Sequence, residues 1–275
     1  TPVITITDNQ CLVHSQWTWL SGLDRLWRRM IKMTIQSKGK RPVGRTITRL
    51  SLQSKIVLTM TLFLLTLGTV GFYLLEHHNP ATMGTLNAAG KFQAAFFQSV
   101  TTRTAGFASI SQSGLTNGSK LLACMLMIIG GSPAGTAGGI KTTTVAVLLL
   151  TAISVLRGNK DTECYGRKIT FEIIRVGMTI TLVTFVFWLF GVTVMTVIEP
   201  QQKVLDLMFE ATSAMATVGL TADLTPVLSD ISHVVLMLMM YIGRIGPMTM
   251  ALIFSGHADK KNQFRTLPEA KIMVG

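Results

Sequence analysis

A chain of 275 residues with 48% apolar and only 14% charged side chains, and a mean hydropathy of +0.46, is too oily for an ordinary soluble domain. Its formal net charge of +12 would suit a nucleic-acid partner if the cations covered a polar surface, but they cluster between apolar runs, a pattern that reports membrane topology instead. The cysteines Cys11, Cys124 and Cys164 are odd in number and far apart, which excludes a disulfide framework or a zinc site and leaves plain thiols.

The start carries neither an initiator Met nor a signal-peptide pattern, so the chain reads as part of a longer one. Trp17, Trp19 and Trp27, beside Arg25, Arg28 and Arg29, predict an interfacial amphipathic helix. Apolar runs follow at 56–75, at 119–129 continuing at 145–156, at 176–198 and at 231–255, four crossings at ~20 residues each. Residues 25–55 hold ten Lys and Arg, 157–175 hold Arg157, Lys160, Arg167, Lys168 and Arg175, and the tail holds Lys260, Lys261, Arg265 and Lys271. By the positive-inside rule these segments and both termini are cytoplasmic, while 76–118 and 199–230 face out, giving a multi-pass protein of the plasma membrane.

Both outer connections contain a short helix-like stretch and a small glycine motif, FFQSVTTRTAGF at 96–107 and FEATSAMATVGL at 209–220. One ungapped offset of 113 residues pairs Gly106 with Gly219, Thr104 with Thr217, Phe96 with Phe209, Leu115 with Leu228, Met127 with Met240, Gly130 with Gly243 and Lys55 with Lys168. A constant offset across helix, loop and helix marks an internal repeat. Each copy contains two crossings, so both enter from the same side, unlike the inverted repeats of many secondary transporters. The expected organisation is 1–50, the end of a preceding unit and a basic linker; 51–157 and 158–256, two span, dipping-helix, span units; and 257–275, a cytoplasmic tail.

The dipping helices, roughly 92–102 and 203–215, are too short to span and end in Thr104-Ala105-Gly106 and Thr217-Val218-Gly219. Extended backbone within a membrane survives only where protein encloses it or it lines a watery cavity. There its carbonyl oxygens can replace the water around a cation, and glycine tolerates the positive φ and close approach this needs. Ordinary loops with turn glycines are the plainer alternative, disfavoured by two copies in register.

GGSPAGTAGGIKTTT, 130–144, interrupts the second apolar run. Residues 119–129 rise only ~16 Å, about half of a ~30 Å hydrocarbon core, so the glycines begin near mid-membrane, where Ser132-Pro133 and glycine prevent a helix. A phosphate-binding loop is not met, since Ile140 precedes Lys141 and no strand precedes the glycines; a packing kink is the remaining alternative to a mobile plug. Arg244 stands where Gly131 stands in the first copy, deep in its helix, and either faces a cavity or partner or snorkels inward. Lys141 belongs to the plug or points its amine to cytoplasmic water. Glu210 braces the second turn, pairs with Arg103, or is solvated. Asp223 and Asp230 either raise local cation concentration or cap loops. His77, His78, His233 and His257 are too scattered for a metal site.

TTRTAGF (101–107), GGSPAGTAGGIKTTT (130–144), SAMATVGL (213–220) and YIGRIGPMT (241–249) resemble the Ktr/Trk/HKT superfamily of potassium transporters, and within it the Ktr-type membrane subunit. The likeness covers about 45–275 and corresponds to the third and fourth of that family's four membrane-pore-membrane units. It implies an all-α integral membrane fold of tandem membrane-pore-membrane repeats around a potassium-channel-like pore. It also implies K⁺ as the transported ion, with Na⁺ as cofactor or competitor in some members, and no enzymatic chemistry. Thr104, Ala105, Gly106, Thr217, Val218 and Gly219 would form the filter. Gly130, Gly131, Ser132, Pro133, Gly135, Gly138, Gly139, Lys141 and Arg244 would form the gate. The implied partners are a second copy, a cytoplasmic nucleotide-binding regulatory ring and membrane lipids, with no nucleic acid. Two of four expected units cannot encircle an ion, so either a preceding half is missing from this sequence or two copies assemble into one pore. A secondary transporter of another solute, disfavoured by the even span count, and a non-conducting remnant or accessory membrane protein are the rival readings.

Overall fold

The computed structural model describes residues 51–133, 138–159 and 161–245. The interfacial helix expected within 1–50, Gly135 of the interrupted run and the tail 257–275 lie outside the described residues.

Helix α1, Leu52–Glu76, starts at Ser51, whose hydroxyl accepts the Ser54 N–H at 3.3 Å. Its 25 residues would reach ~37 Å, enough to cross a bilayer with some tilt. Asn87 caps the short helix α2, Ala88–Thr101, by accepting the Gly90 N–H at 2.8 Å. Helices α3, Asn117–Ile128, and α4, Thr142–Leu156, are two pieces of the second apolar run, separated where the glycines fall. A hairpin of β1, Glu163–Cys164, and β2, Arg167–Lys168, follows, turning on Tyr165 and Gly166 at φ 49° and 71°. Positive φ at both central residues matches the twist of a two-residue hairpin, where composition alone had suggested only a basic segment on the cytoplasmic side. Helix α5, Phe171–Ile198, is 28 residues long, α6 is Val204–Met215 and α7 is Asp230–Ile245. Only α1 and α5 are, among the described residues, long and apolar enough to cross a membrane singly.

Long helix, short helix, further helix therefore occurs twice. The short helices run 88–101 and 204–215, the first beginning four residues earlier than expected because Asn87 supplies a cap. Side-chain packing ties the units together: one core cluster joins Leu64, Phe72, Ala95 and Met127 of the first to Phe209, Ala216 and Val218 of the second. Gly68 lets α1 lie against α2, since a Cβ there would collide with the Ser99 hydroxyl, which itself donates to the Leu65 carbonyl at 3.0 Å. A face of α5 including Ile173, Met178, Leu182, Phe185 and Phe190 is exposed, a surface suited to lipid rather than water.

Candidate functional site: two Thr-x-Gly turns above a broken helix

Beyond the C-terminal end of α2, Thr104 adopts φ 69° and Gly106 φ 77°; beyond α6, Thr217 adopts φ 52° and Gly219 φ 90°. Left-handed backbone costs a residue with a Cβ about 1–2 kcal/mol. Its recurrence at both threonines, 113 residues apart, identifies one turn built twice. The sequence argument anticipated this freedom at the glycines but not at the threonines.

The turns are tied back to their helices by donors. Thr101 accepts the Ala105 and Gly106 N–H groups at its carbonyl, at 3.1 and 3.4 Å. Its hydroxyl accepts the Phe107 N–H at 2.9 Å and donates to the Phe107 carbonyl at 2.5 Å. In the second copy Thr217 donates to Ala214 at 3.0 Å and Val218 to Ser213 at 2.8 Å. Among the described residues, no hydrogen bond ends on a carbonyl of Thr104, Ala105, Gly106, Thr217, Val218 or Gly219. Of these residues Val218 is buried, Gly219 is exposed and the other four are half-buried, and acceptors left open away from water call for a donor or a cation. The Thr217 hydroxyl is likewise buried and without a hydrogen-bond partner among the described residues.

The two turns meet. A Cβ on Gly106 would collide with the Val218 carbonyl and lie 3.4 Å from the Gly219 Cα, whereas a Cβ on Gly219 would find only the Gly106 Cα, at 3.8 Å. Glycine is required at 106 by this approach as well as by φ.

Each turn is braced from the side. Glu210 accepts from the Thr221 hydroxyl at 2.5 Å, the Ala222 N–H at 3.0 Å and the Thr225 hydroxyl at 3.0 Å. This selects bracing among the readings offered for Glu210; among the described residues Arg103 makes no ion pair with it and is itself buried beside Thr104 with its Nε unpaired. In the first copy two buried glutamines do the bracing: Gln98 donates to Gln112 at 2.6 Å and Gln112 to Gln98 at 3.1 Å. Gln112 and Thr225 are again 113 residues apart. Asp223 accepts the Ser113 hydroxyl at 2.7 Å, linking the outer loops, which is the loop-capping role rather than a free acid.

Sequence reasoning missed two further carboxylates. Glu76, fully buried at the end of α1, accepts the N–H and hydroxyl of Thr116, both at 2.8 Å, at the start of α3. Glu199, just past α5, accepts the Ser229 N–H at 2.8 Å and the Ser232 hydroxyl at 2.9 Å at the start of α7. A carboxylate at a helix N-terminus satisfies orphan N–H groups and complements the helix dipole. The Ser229 hydroxyl and N–H and the Ser232 hydroxyl, at the α7 start, hold the half-buried Glu199 below the usual carboxylate range. Thr116 and Ser119 pair with Ser229 and Ser232 at the repeat offset, and that recurrence was the available signal. Also missed was Lys120, whose ammonium lies 2.6 Å from Asp206 and pins α3 of the first unit to α6 of the second.

The interrupted run lies under the second turn. The chain leaves α3 at Ile128 and returns beside itself: Ile129 and Ile140 form a parallel bridge, Ile140 donates to Ile128 at 3.0 Å and Thr142 to Gly131 at 3.2 Å. A Cβ on Gly130 would collide with the Gly138 carbonyl, and one on Gly138 with the Thr217 hydroxyl and the Ala216 carbonyl. Gly139 has φ 68°. Gly131 is buried here, and Ser132 and Pro133 lead out along the loop as half-buried residues. Lys141 immediately precedes α4, without a side-chain capping bond, and lies near enough to Arg244, at the end of α7, to interact electrostatically with it. In α7, Gly243 presses against the Met215 carbonyl at the end of α6.

This architecture is that of a mostly helical membrane protein with the fold of the Trk-type cation transporters. Residues 38–265 match the family described as TrkH, cation transport protein, and the chain belongs to it. The potassium transporter TrkH from Vibrio parahaemolyticus, a crystal structure, superimposes with a TM-score of 0.59 at 17% identity, covering 71% of this chain and 43% of that one. Ktr system potassium uptake protein B of Bacillus subtilis is 36% identical over 232 residues, and its namesake in Vibrio alginolyticus 39% over 226, covering 84% and 82% of this chain. The potassium/sodium uptake protein NtpJ of Enterococcus hirae is 34% identical over 232 residues. The chain spans about half the length of these curated relatives, 51%, 49% and 51%.

Proposed function

We propose that the chain contributes two membrane-pore-membrane units to a K⁺ uptake pathway, with Thr104–Gly106 and Thr217–Gly219 as two sides of its filter. The observation that carries this is the pair of matched turns, each with left-handed Thr and Gly, carbonyls that accept no hydrogen bond among the described residues, and glycines in mutual contact. Carbonyl oxygens replace hydration water around a cation, and the C-terminal ends of α2 and α6 add a favourable dipole. Potassium uptake is what the names of the similar Ktr proteins describe, and the NtpJ name adds sodium. K⁺ would move down its electrochemical gradient, with Na⁺ as cofactor or competitor.

The loop from Gly130 to Lys141 is the gate in this reading. Gly138 touches the underside of the second turn at Ala216 and Thr217, so displacement of the loop would open the path below. Lys141 and Arg244 put positive charge beside it, which opposes cation passage while the loop is in place. A second copy and a nucleotide-binding regulatory ring would dock on the basic cytoplasmic side.

The test is uptake in cells lacking K⁺ transport, using a transporter completed to the length of its relatives. Growth at low K⁺ and K⁺ uptake inhibited by Rb⁺ support the proposal. Competition by an organic solute instead would point to a secondary transporter, and no uptake at normal membrane expression would favour a non-conducting protein.

A further inference from the structure

A cavity of about 450 Å³ lies between the two units, reaching the second turn at Ala216. It is lined by α5 from Met178 to Trp188, by Gly139 and Ile140 at the returning end of the broken-helix loop, and by Thr212 and Ala216 at the end of α6 and just beyond it. The hydroxyls that reach it are satisfied. Thr181 donates to Gly177 at 2.9 Å, Thr184 to Ile180 at 2.8 Å, and Thr212 accepts the Trp188 indole N–H at 2.8 Å. With no free side-chain hydroxyl offered among the described residues, a ligand there would be hydrocarbon.

The surroundings supply one. Met178, Leu182 and Phe185, which flank the cavity, are 52%, 65% and 52% exposed on a helix long and apolar enough to cross a bilayer, so its mouth opens toward lipid. From Met178 to Trp188 the helix rises ~15 Å, the depth of one leaflet of a ~30 Å core. The volume is about three times the ~150 Å³ cavity that holds a benzene ring.

We infer that this cavity is a binding site for one phospholipid acyl chain, inserted from the membrane between α5 and the broken-helix loop. The chain would touch Trp188 on one side and Gly139 and Ile140 on the other. Its occupancy would therefore bias the position of the loop; this second clause rests on the gate reading, whereas binding itself does not.

Trp188 reports binding directly. The complete transporter, keeping Trp188 and with its other tryptophans replaced by Phe, is placed in phosphatidylcholine vesicles containing phosphatidylcholine brominated along one acyl chain. Saturable quenching of Trp188 is expected, and Thr184→Phe, which fills the cavity, should weaken the apparent affinity about tenfold. Since Thr184→Phe could unfold the site, Leu182→Ala at the exposed mouth is the companion variant and should leave folding intact while altering the quenching midpoint. Quenching that rises only in proportion to bulk brominated lipid, and is the same in folded forms of both variants, overturns the site. K⁺ flux is measured in parallel, in lipids with chains too short to reach Trp188. Saturable quenching with flux indifferent to chain length would retain the lipid site and remove its link to the gate.

Discussion

At the scale of the residue, the two turn glycines are not equivalent. A side chain at Gly219 meets open space beyond the Gly106 Cα at 3.8 Å, so Gly219→Ser bears mainly the cost of φ 90°, about 1–2 kcal/mol. It should reach the membrane at near-normal levels and show a weakened preference for K⁺ over Na⁺ in competition uptake; unchanged selectivity would count against the filter. Gly106→Ala would drive its Cβ into the Val218 carbonyl, and protein levels as well as flux should fall. Both glycines were legible as a pair from the offset of 113, because a turn that demands left-handed backbone and close approach restricts which residues can occupy it. The left-handed threonines were not, since φ at a residue with a Cβ is imposed by the ties to Thr101, Ala214 and Ser213 rather than by its own preference.

At the scale of the element, charges fix how helices dock. Removing Asp206 alone leaves the Lys120 ammonium, 8% exposed in its side chain, without its partner, and should destabilise by on the order of 3 kcal/mol. Replacing both by apolar residues of similar size, Lys120→Met with Asp206→Leu, should recover most of that loss in thermal unfolding in detergent. The Glu199 clasp adds a pH dependence. Its folded carboxyl is depressed relative to the ordinary ~4.3, so its stabilisation is present above that value and disappears as pH falls through the lower folded value. Hydrogen exchange at the first turn of α7 should rise in acid in the parent and be raised already at neutral pH in Glu199→Gln. These clasps escaped sequence analysis because they join residues 40, 30 and 86 positions apart. Glu76 and Glu199 also fall off the common offset, the outer connections of the two units differing in length before their second helices begin.

At the scale of the whole molecule, the interrupted helix separates two predictions. If the loop plugs the path, deleting Ser132 through Gly139 should raise K⁺ flux through the completed transporter at equal expression; a lower flux would mean that the glycines serve helix packing. The two units share one core, Phe209 and Val218 lying among Leu64, Phe72 and Met127, so a change in the loop is felt by both turns at once.

Much of this organisation was written along the chain. The apolar character of the helices, the single offset and the glycine interruption depend on local composition, which acts on each segment independently. The hairpin at Tyr165-Gly166, the bracing of Glu210 and Gln98, the pairing of Lys120 with Asp206 and the cavity beside Trp188 depend on which helices become neighbours. That choice belongs to the tertiary structure, because a buried charge or an empty volume is defined only by the atoms that surround it.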